Sequence, residues 1–181
     1  MSHTTTIDPN LTMRALLENF PGARRALFVK YHIGGCSSCG FSPDETLAQV
    51  CARNENLPVD EAIEHIVQSH EEDSKMQVAP LELASLLKAG AVKLLDIRTR
   101  EEFDAARIGG AVFFTQDLMQ KIMATWDKAT PLVLADHTGT RSIDAVAYFI
   151  GHGFANAKAL RGGIDAWSQE VDPDVPRYEV E

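Results

Sequence analysis

With 181 residues, 45% hydrophobic and 24% charged, the chain has the composition of one large or two small folded domains, not of a disordered segment. Its net charge of −9 is spread along it: six Lys and Arg against eleven Asp and Glu in residues 1–75, and eleven against fifteen in residues 76–181. No basic block or stripe stands out, which argues against nucleic acid or a membrane surface as partner, and no apolar run is long enough to span a bilayer.

The opening "MSHTTTIDPNLT" is polar and lacks the charged-then-apolar order of a signal peptide, so a cytoplasmic location is expected. Residues 8–71 read as all-helical. Met13, Leu16, Leu17 and Phe20 recur at helical spacing, Pro21 breaks that run, and Ala23, Ala26, Leu27 and Val29–Tyr31 start another. In "SPDETLAQVCARN", Ser42 is the expected cap, Pro43 the first helical residue and Glu45 the residue that bonds back, with Leu47, Val50 and Cys51 on one apolar face. "LPVDEAIEHIVQSH" gives a further helix that starts at Pro58 and turns Val59, Ile63, Ile66 and Val67 inward. The charged stretch "SHEEDSKMQ" reads as a connection. The domains expected are a helical CxxC domain over 1–72, a linker over 73–80 and a second domain over 81–181.

From Val78 the pattern alternates. Helix "APLELASLLKAG", strand "VKLLDI", strand "AVFF", helix "LMQKIMATW", strand "PLVLAD", helix "SIDAVAYFIGHGF", strand "AKAL" and the last helical turn "GGIDAWSQ" follow one another. Strands alternating with helices predict a parallel α/β sheet flanked by helices, beside the small all-α first domain. In such sheets sites form at the carboxyl ends of strands, where Asp96 and Asp136 stand.

The loop "ADHTGTRS" deserves chemistry or a dismissal. Gly139 lets backbone N–H groups point inward, the following helix presents its positive end, and Arg141 adds a cation, so residues His137, Thr138, Gly139, Thr140, Arg141 and Ser142 make a compact anion cradle around Asp136. The plain alternative is a strand-to-helix turn in which Asp136 bonds free loop amides and Thr140 or Ser142 caps the helix.

Residues 76–170 resemble the rhodanese (sulfurtransferase) family. "LLDIRTREEFDAARIGGAV" is similar to its first signature, through Asp96, Arg98, Glu102, Phe103, Ile108, Gly110 and Ala111. "HTGTRSIDAVAYFIGHGF" is similar to its active-site loop and helix, and "LRGGIDAW" to its closing signature, with Gly162, Gly163 and Trp167. The resemblance implies a cysteine at the head of the loop, with Gly three places on and Arg five places on; here that place holds Asp136. The family reaction carries sulfane sulfur from a donor such as thiosulfate as a cysteine persulfide, and passes it to a thiol or cyanide. A carboxylate cannot hold sulfur that way. The expectation is that Asp136 accepts loop N–H bonds, pairs with Arg141 and repels thiosulfate. Phosphatase chemistry on this loop also needs cysteine, and an aspartyl-phosphate would prefer a second aspartate two places on, where Arg98 and Thr138 stand. His137 invites a role as base, against the plainer reading of a solvated loop side chain.

"GGCSSCGFS" raises a second question. Glycines and serines leave Cys36 and Cys39 in an open loop, a candidate redox pair that the helix start nearby favours as thiolate and Asp44 and Glu45 oppose. Residues 7–68 resemble the redox-disulfide domain associated with hybrid-cluster proteins, through "TIDPNLTMRALLENFP", the Gly-Cys-x-x-Cys loop and "ETLAQVC". Three other readings compete. "CGFS" matches the monothiol glutaredoxin string but sits between helices; a zinc or iron–sulfur site would need Cys51 with His32 or His65; and the loop is idle in the simplest case. Cys51, beside Leu47 and Val50, reads as a core residue. No metal site and no cofactor are assigned. The functions expected are a binding or regulatory module in sulfur or redox metabolism that is inactive as a thiosulfate:cyanide sulfurtransferase, or a sulfur-transfer or thiol–disulfide protein working through Cys36 and Cys39, with a protein or a thiol or sulfur carrier as partner.

Overall fold

The computed structural model describes residues 6–34 and 40–178. Chain contacts divide it into two units, residues 1–75 and 76–181.

The first unit is helical: α1 Met13–Asn19, α2 Ala23–Tyr31, α3 Leu47–Arg53 and α4 Val59–Lys75. Met13, Leu16, Leu27, Leu47, Val50, Cys51 and Ile66 form its core, the inward positions the spacing predicts. Helix α3 begins later than its sequence signals suggest. Residues 42–45 form a turn in which Glu45 accepts the Ser42 N–H at 2.6 Å, and the capping box is Thr46 with Gln49. The cause is non-local. The backbone around Thr46 is paired antiparallel with Thr12, through Met13 N–H to Glu45 O at 2.7 Å and Leu47 N–H to Leu11 O at 3.1 Å, which holds Thr46 extended. Thr12 and Thr46 are therefore both bridge partners and the caps of α1 and α3.

The charged stretch expected as a linker is ordered. Helix α4 runs through Lys75, because Asp73 is buried and paired with Arg25 of α2, which ties its last turns down. Residues 77 and 78 then form a strand.

The second unit is a five-stranded, all-parallel sheet in the order β1-β5-β4-β2-β3, with β1 Gln77–Val78, β2 Lys93–Asp96, β3 Val112–Phe113, β4 Leu132–Ala135 and β5 Ala157–Leu160. Helices α5 Pro80–Lys88, α6 Arg100–Ala105, α7 Gln116–Thr125 and α8 Thr140–Gly151 connect successive strands, and α9 Gly163–Glu170 follows β5. One face packs Leu83, Leu94, Val133, Ile164 and Trp167; the other packs Leu95, Leu134, Ile143, Val146, Phe149 and Phe154. Burial on both faces explains why the central strands read as unbroken apolar runs. Two elements go beyond the sequence reading: β1, two residues long, whose pairing with β5 makes it a strand, and α6, whose Thr99–Glu102 capping box is a local start signal.

Chain order along the sheet reverses between β2 and β4. Their carboxyl ends, and so the loops after Asp96 and after Ala135, lie side by side at this switch point, where open α/β sheets bind ligands.

Candidate functional site

Asp136 leaves β4 only 2% exposed, and its carboxylate turns back into its own loop. Oδ1 accepts the Gly139 N–H at 2.8 Å and the Ser142 hydroxyl at 2.8 Å; Oδ2 accepts the Arg141 N–H at 3.0 Å. These donors cluster at the first turn of α8, where amides lack partners inside the helix and the dipole favours negative charge. The cradle is thus filled by the residue at its head.

The loop closes this tightly because two glycines permit it. Gly139 has φ 84°, and a Cβ there would lie 2.7 Å from the Gly162 nitrogen. Gly163 has φ 61°, and a Cβ there would lie 2.5 Å from the Asp136 carbonyl oxygen. The first amides of α9 use that approach: Ile164 N–H donates to Asp136 O at 2.9 Å and Asp165 N–H to His137 O at 3.1 Å. The "LRGGIDAW" stretch is therefore the floor on which the loop rests.

The remaining cradle residues divide. Arg141 contributes its backbone amide; its side chain is exposed, and no ion pair joins it to Asp136, which corrects the expected pairing. Neither Thr140 nor Ser142 caps α8: the N-cap is Gly139, and Ser142 gives its proton to Asp136. Thr138 and Thr140 are exposed with their hydroxyls 3.3 Å apart. His137 is not a solvated side chain. It is half-buried and stacked on Tyr178, ring centres 4.4 Å apart and planes at 19°, with a buried Nε2 that has no hydrogen-bond partner among the described residues.

The profile of the rhodanese-like domain matches residues 79–170, half of the chain. The chain belongs to the rhodanese-like domain family. It is 30% identical over 109 residues to the thiosulfate sulfurtransferase GlpE of Pseudomonas aeruginosa, a match that covers 60% of this chain and 98% of that protein. To the probable adenylyltransferase/sulfurtransferase MoeZ of Mycobacterium tuberculosis it is 34% identical over 104 residues, 56% of this chain and 26% of that one. Among solved structures, the human single-domain sulfurtransferase TSTD1 aligns with a TM-score of 0.47 and 24% identity, over 52% of this chain and 96% of the other.

Within the rhodanese-like domain, the first signature is a buried scaffold. Arg98 clasps Asp96 through Nε at 2.9 Å and Nη2 at 2.6 Å, and gives Nη2 also to Ala106 O at 2.5 Å. Its Nη1 reaches the Tyr178 hydroxyl at 2.7 Å, which in turn donates to Glu102 at 2.8 Å. Burial pushes the Tyr178 hydroxyl up, with Arg98 opposing and Glu102 adding to it. Burial also pushes Glu102 up, but the Thr99 amide and hydroxyl and the Tyr178 hydroxyl outweigh it and leave this carboxyl below its usual range. Tyr178 is the site residue that sequence reasoning missed. It follows the last helix with no periodicity to mark it, and segment 171–178 returns to the domain through buried Val175 and the Arg177–Asp165 pair at 2.7 Å.

Cys36 and Cys39 lie outside the described residues. Cys51 is 1% exposed in the helical core, and burial pushes its thiol up, away from a reactive thiolate. Among the described residues no group of three or more His, Cys, Asp or Glu is arranged to hold a metal, and no helix is long and apolar enough to cross a membrane.

Proposed function

We propose that the rhodanese-like domain of this protein does not carry out thiosulfate:cyanide sulfur transfer, and that it works as a binding or regulatory module in sulfur or redox metabolism, with a protein or a sulfur carrier as partner. Counted from Gly139 and Arg141, Asp136 stands where an active member of the family has its cysteine. The observation that carries the reading is the engagement of both Asp136 oxygens by Gly139, Arg141 and Ser142. Transfer requires a thiolate to attack the sulfane sulfur, form an S–S bond and expel sulfite. A carboxylate oxygen forms no such bond, and its charge occupies the donors that would receive thiosulfate. The sulfurtransferase names of the relatives support a link to sulfur metabolism rather than the reaction itself.

The test is a thiosulfate:cyanide assay. The wild-type protein is expected to give no thiocyanate above background, and measurable turnover that survives exhaustive purification rejects the proposal. Asp136→Cys, with folding checked by circular dichroism, is expected to form a cyanolysable persulfide, since the donors remain in place.

A second reading assigns the chemistry to Cys36 and Cys39. It is favoured by the burial of Cys51, which leaves those two as the chain's remaining thiols, spaced to close a ring. Thiol counting across a glutathione redox titration checks it: loss of two thiols together is expected, and an unchanged count of three removes the idea. A metal site on this loop is less well supported, because Cys51 is in the core and the His65 Nε2 is engaged by Ala26 O at 3.1 Å.

A further inference from the structure

The helical unit carries two surfaces of opposite character. From Asn19 to Pro43 the sequence has no carboxylate, although Asp and Glu outnumber Lys and Arg in the whole chain by 26 to 17. This stretch includes α2. Its exposed flank presents Arg24, Phe28 and His32 at four-residue spacing, with Phe28 45% and Val29 68% exposed. The Arg24 guanidinium lies 4.6 Å over the Phe41 ring and makes no ion pair among the described residues. The flank therefore combines exposed apolar side chains with a cation that no described carboxylate neutralises.

The second surface is a groove of about 680 Å³ beside α4. Pro9, Ile63 and Val67 give it an apolar lining, and Asp60, Glu64 and Glu71 stand around it with no ion pair among the described residues. It lies away from α2. Helix α4 turns Glu61, His65 and Asp73 toward Tyr31, Ala26 and Arg25 of α2, so residues 60, 64 and 71 fall on its other flank.

We propose that these surfaces bind each other between copies: the Arg24–Phe28 flank of one molecule seats in the acidic groove of the next, with Phe28 and Val29 entering the apolar lining and Arg24 meeting Glu64 and its neighbours. The two surfaces complement each other: apolar side chains and an arginine on one, an apolar lining edged by carboxylates on the other. Because they lie on opposite flanks of one helical unit, the contact is head to tail. It extends into a chain or closes into a ring, and it does not stop at a two-fold dimer.

Sedimentation of the full chain tests this. In about 50 mM salt, weight-average mass is expected to rise with concentration, and in about 0.5 M salt the association weakens about tenfold or more, as screened charge pairs do. Phe28→Gln removes the apolar anchor and Glu64→Lys repels Arg24; both residues lie at the surface, and each variant alone is expected to remain a monomer. Mixed in equal amounts, they retain one working flank and one working groove between them, and a capped one-to-one dimer is expected. A wild-type protein that stays monomeric at low salt and high concentration overturns the proposal and leaves the groove to a different partner. Association that neither variant weakens, or a mixture that stays monomeric, overturns it equally.

Discussion

Asp136 concentrates the question at the scale of single residues. Its carboxylate satisfies three donors in a setting that excludes water, so Asp136→Ala leaves two amides and a hydroxyl without their acceptor. The expected loss is about 1–3 kcal/mol in a denaturant titration, with Asp136→Asn milder because one oxygen remains. Gly163 is as demanding for a different reason. It combines φ 61° with a Cβ position 2.4 Å from the His137 carbonyl oxygen, so Gly163→Ala must move backbone and is expected to cost about 2 kcal/mol or more. The sequence showed that Gly139, Arg141 and Ser142 belong to one cradle, because loop, helix start and family signature coincide within seven residues. It did not show that Arg141 serves through its amide, or that His137 stacks on a ring forty-one places on. Side-chain direction at a loop is decided by what packs above it, and here that is Tyr178.

Elements in this protein owe their ends to distant partners. Ser42, Pro43 and Glu45 form a good local start signal, yet α3 begins at Leu47 because backbone pairing with Thr12 holds Thr46 extended. Thr46→Ala is expected to lower stability by about 1 kcal/mol, and Ser42→Ala by much less, measured as a shift in thermal midpoint. Helix α4 persists through its charged last turns because Asp73 is buried against Arg25. Segment 171–178 has no regular structure, but its Tyr178 hydroxyl bridges Arg98 and Glu102. Tyr178→Phe leaves the buried guanidinium short of an acceptor, and the expected cost is about 1–2 kcal/mol with an unchanged far-ultraviolet spectrum. Helix α8, with its long apolar periodicity, and the central strands, as unbroken apolar runs, were legible in the sequence; β1 was not, since two residues carry no pattern.

Across the whole molecule, ion pairing gives stability a defined pH dependence. The Arg177 guanidinium on Asp165, the Arg53 guanidinium on Glu45, and the Tyr31 hydroxyl with Lys30 on Glu61 each hold a carboxyl below its usual range, as the donors around Glu102 do. Groups with depressed folded values stabilise the protein above the ordinary carboxylate range, and that contribution disappears as pH falls through it. The thermal midpoint is therefore expected to be flat from neutral pH down to about 5 and to drop below that; a midpoint that rises on acidification contradicts these pairings. The exposed pairs contribute modestly and less at high salt. The amino-acid sequence by itself determined the helical first part, the α/β second part and the cradle around Asp136, because apolar periodicity, glycine positions and a short loop are local properties. Only the tertiary structure decided where α3 starts, that residues 77 and 78 complete the sheet, and that Tyr178 stacks on His137. Those outcomes depend on backbone pairing and burial between residues far apart in the chain, which no local pattern encodes.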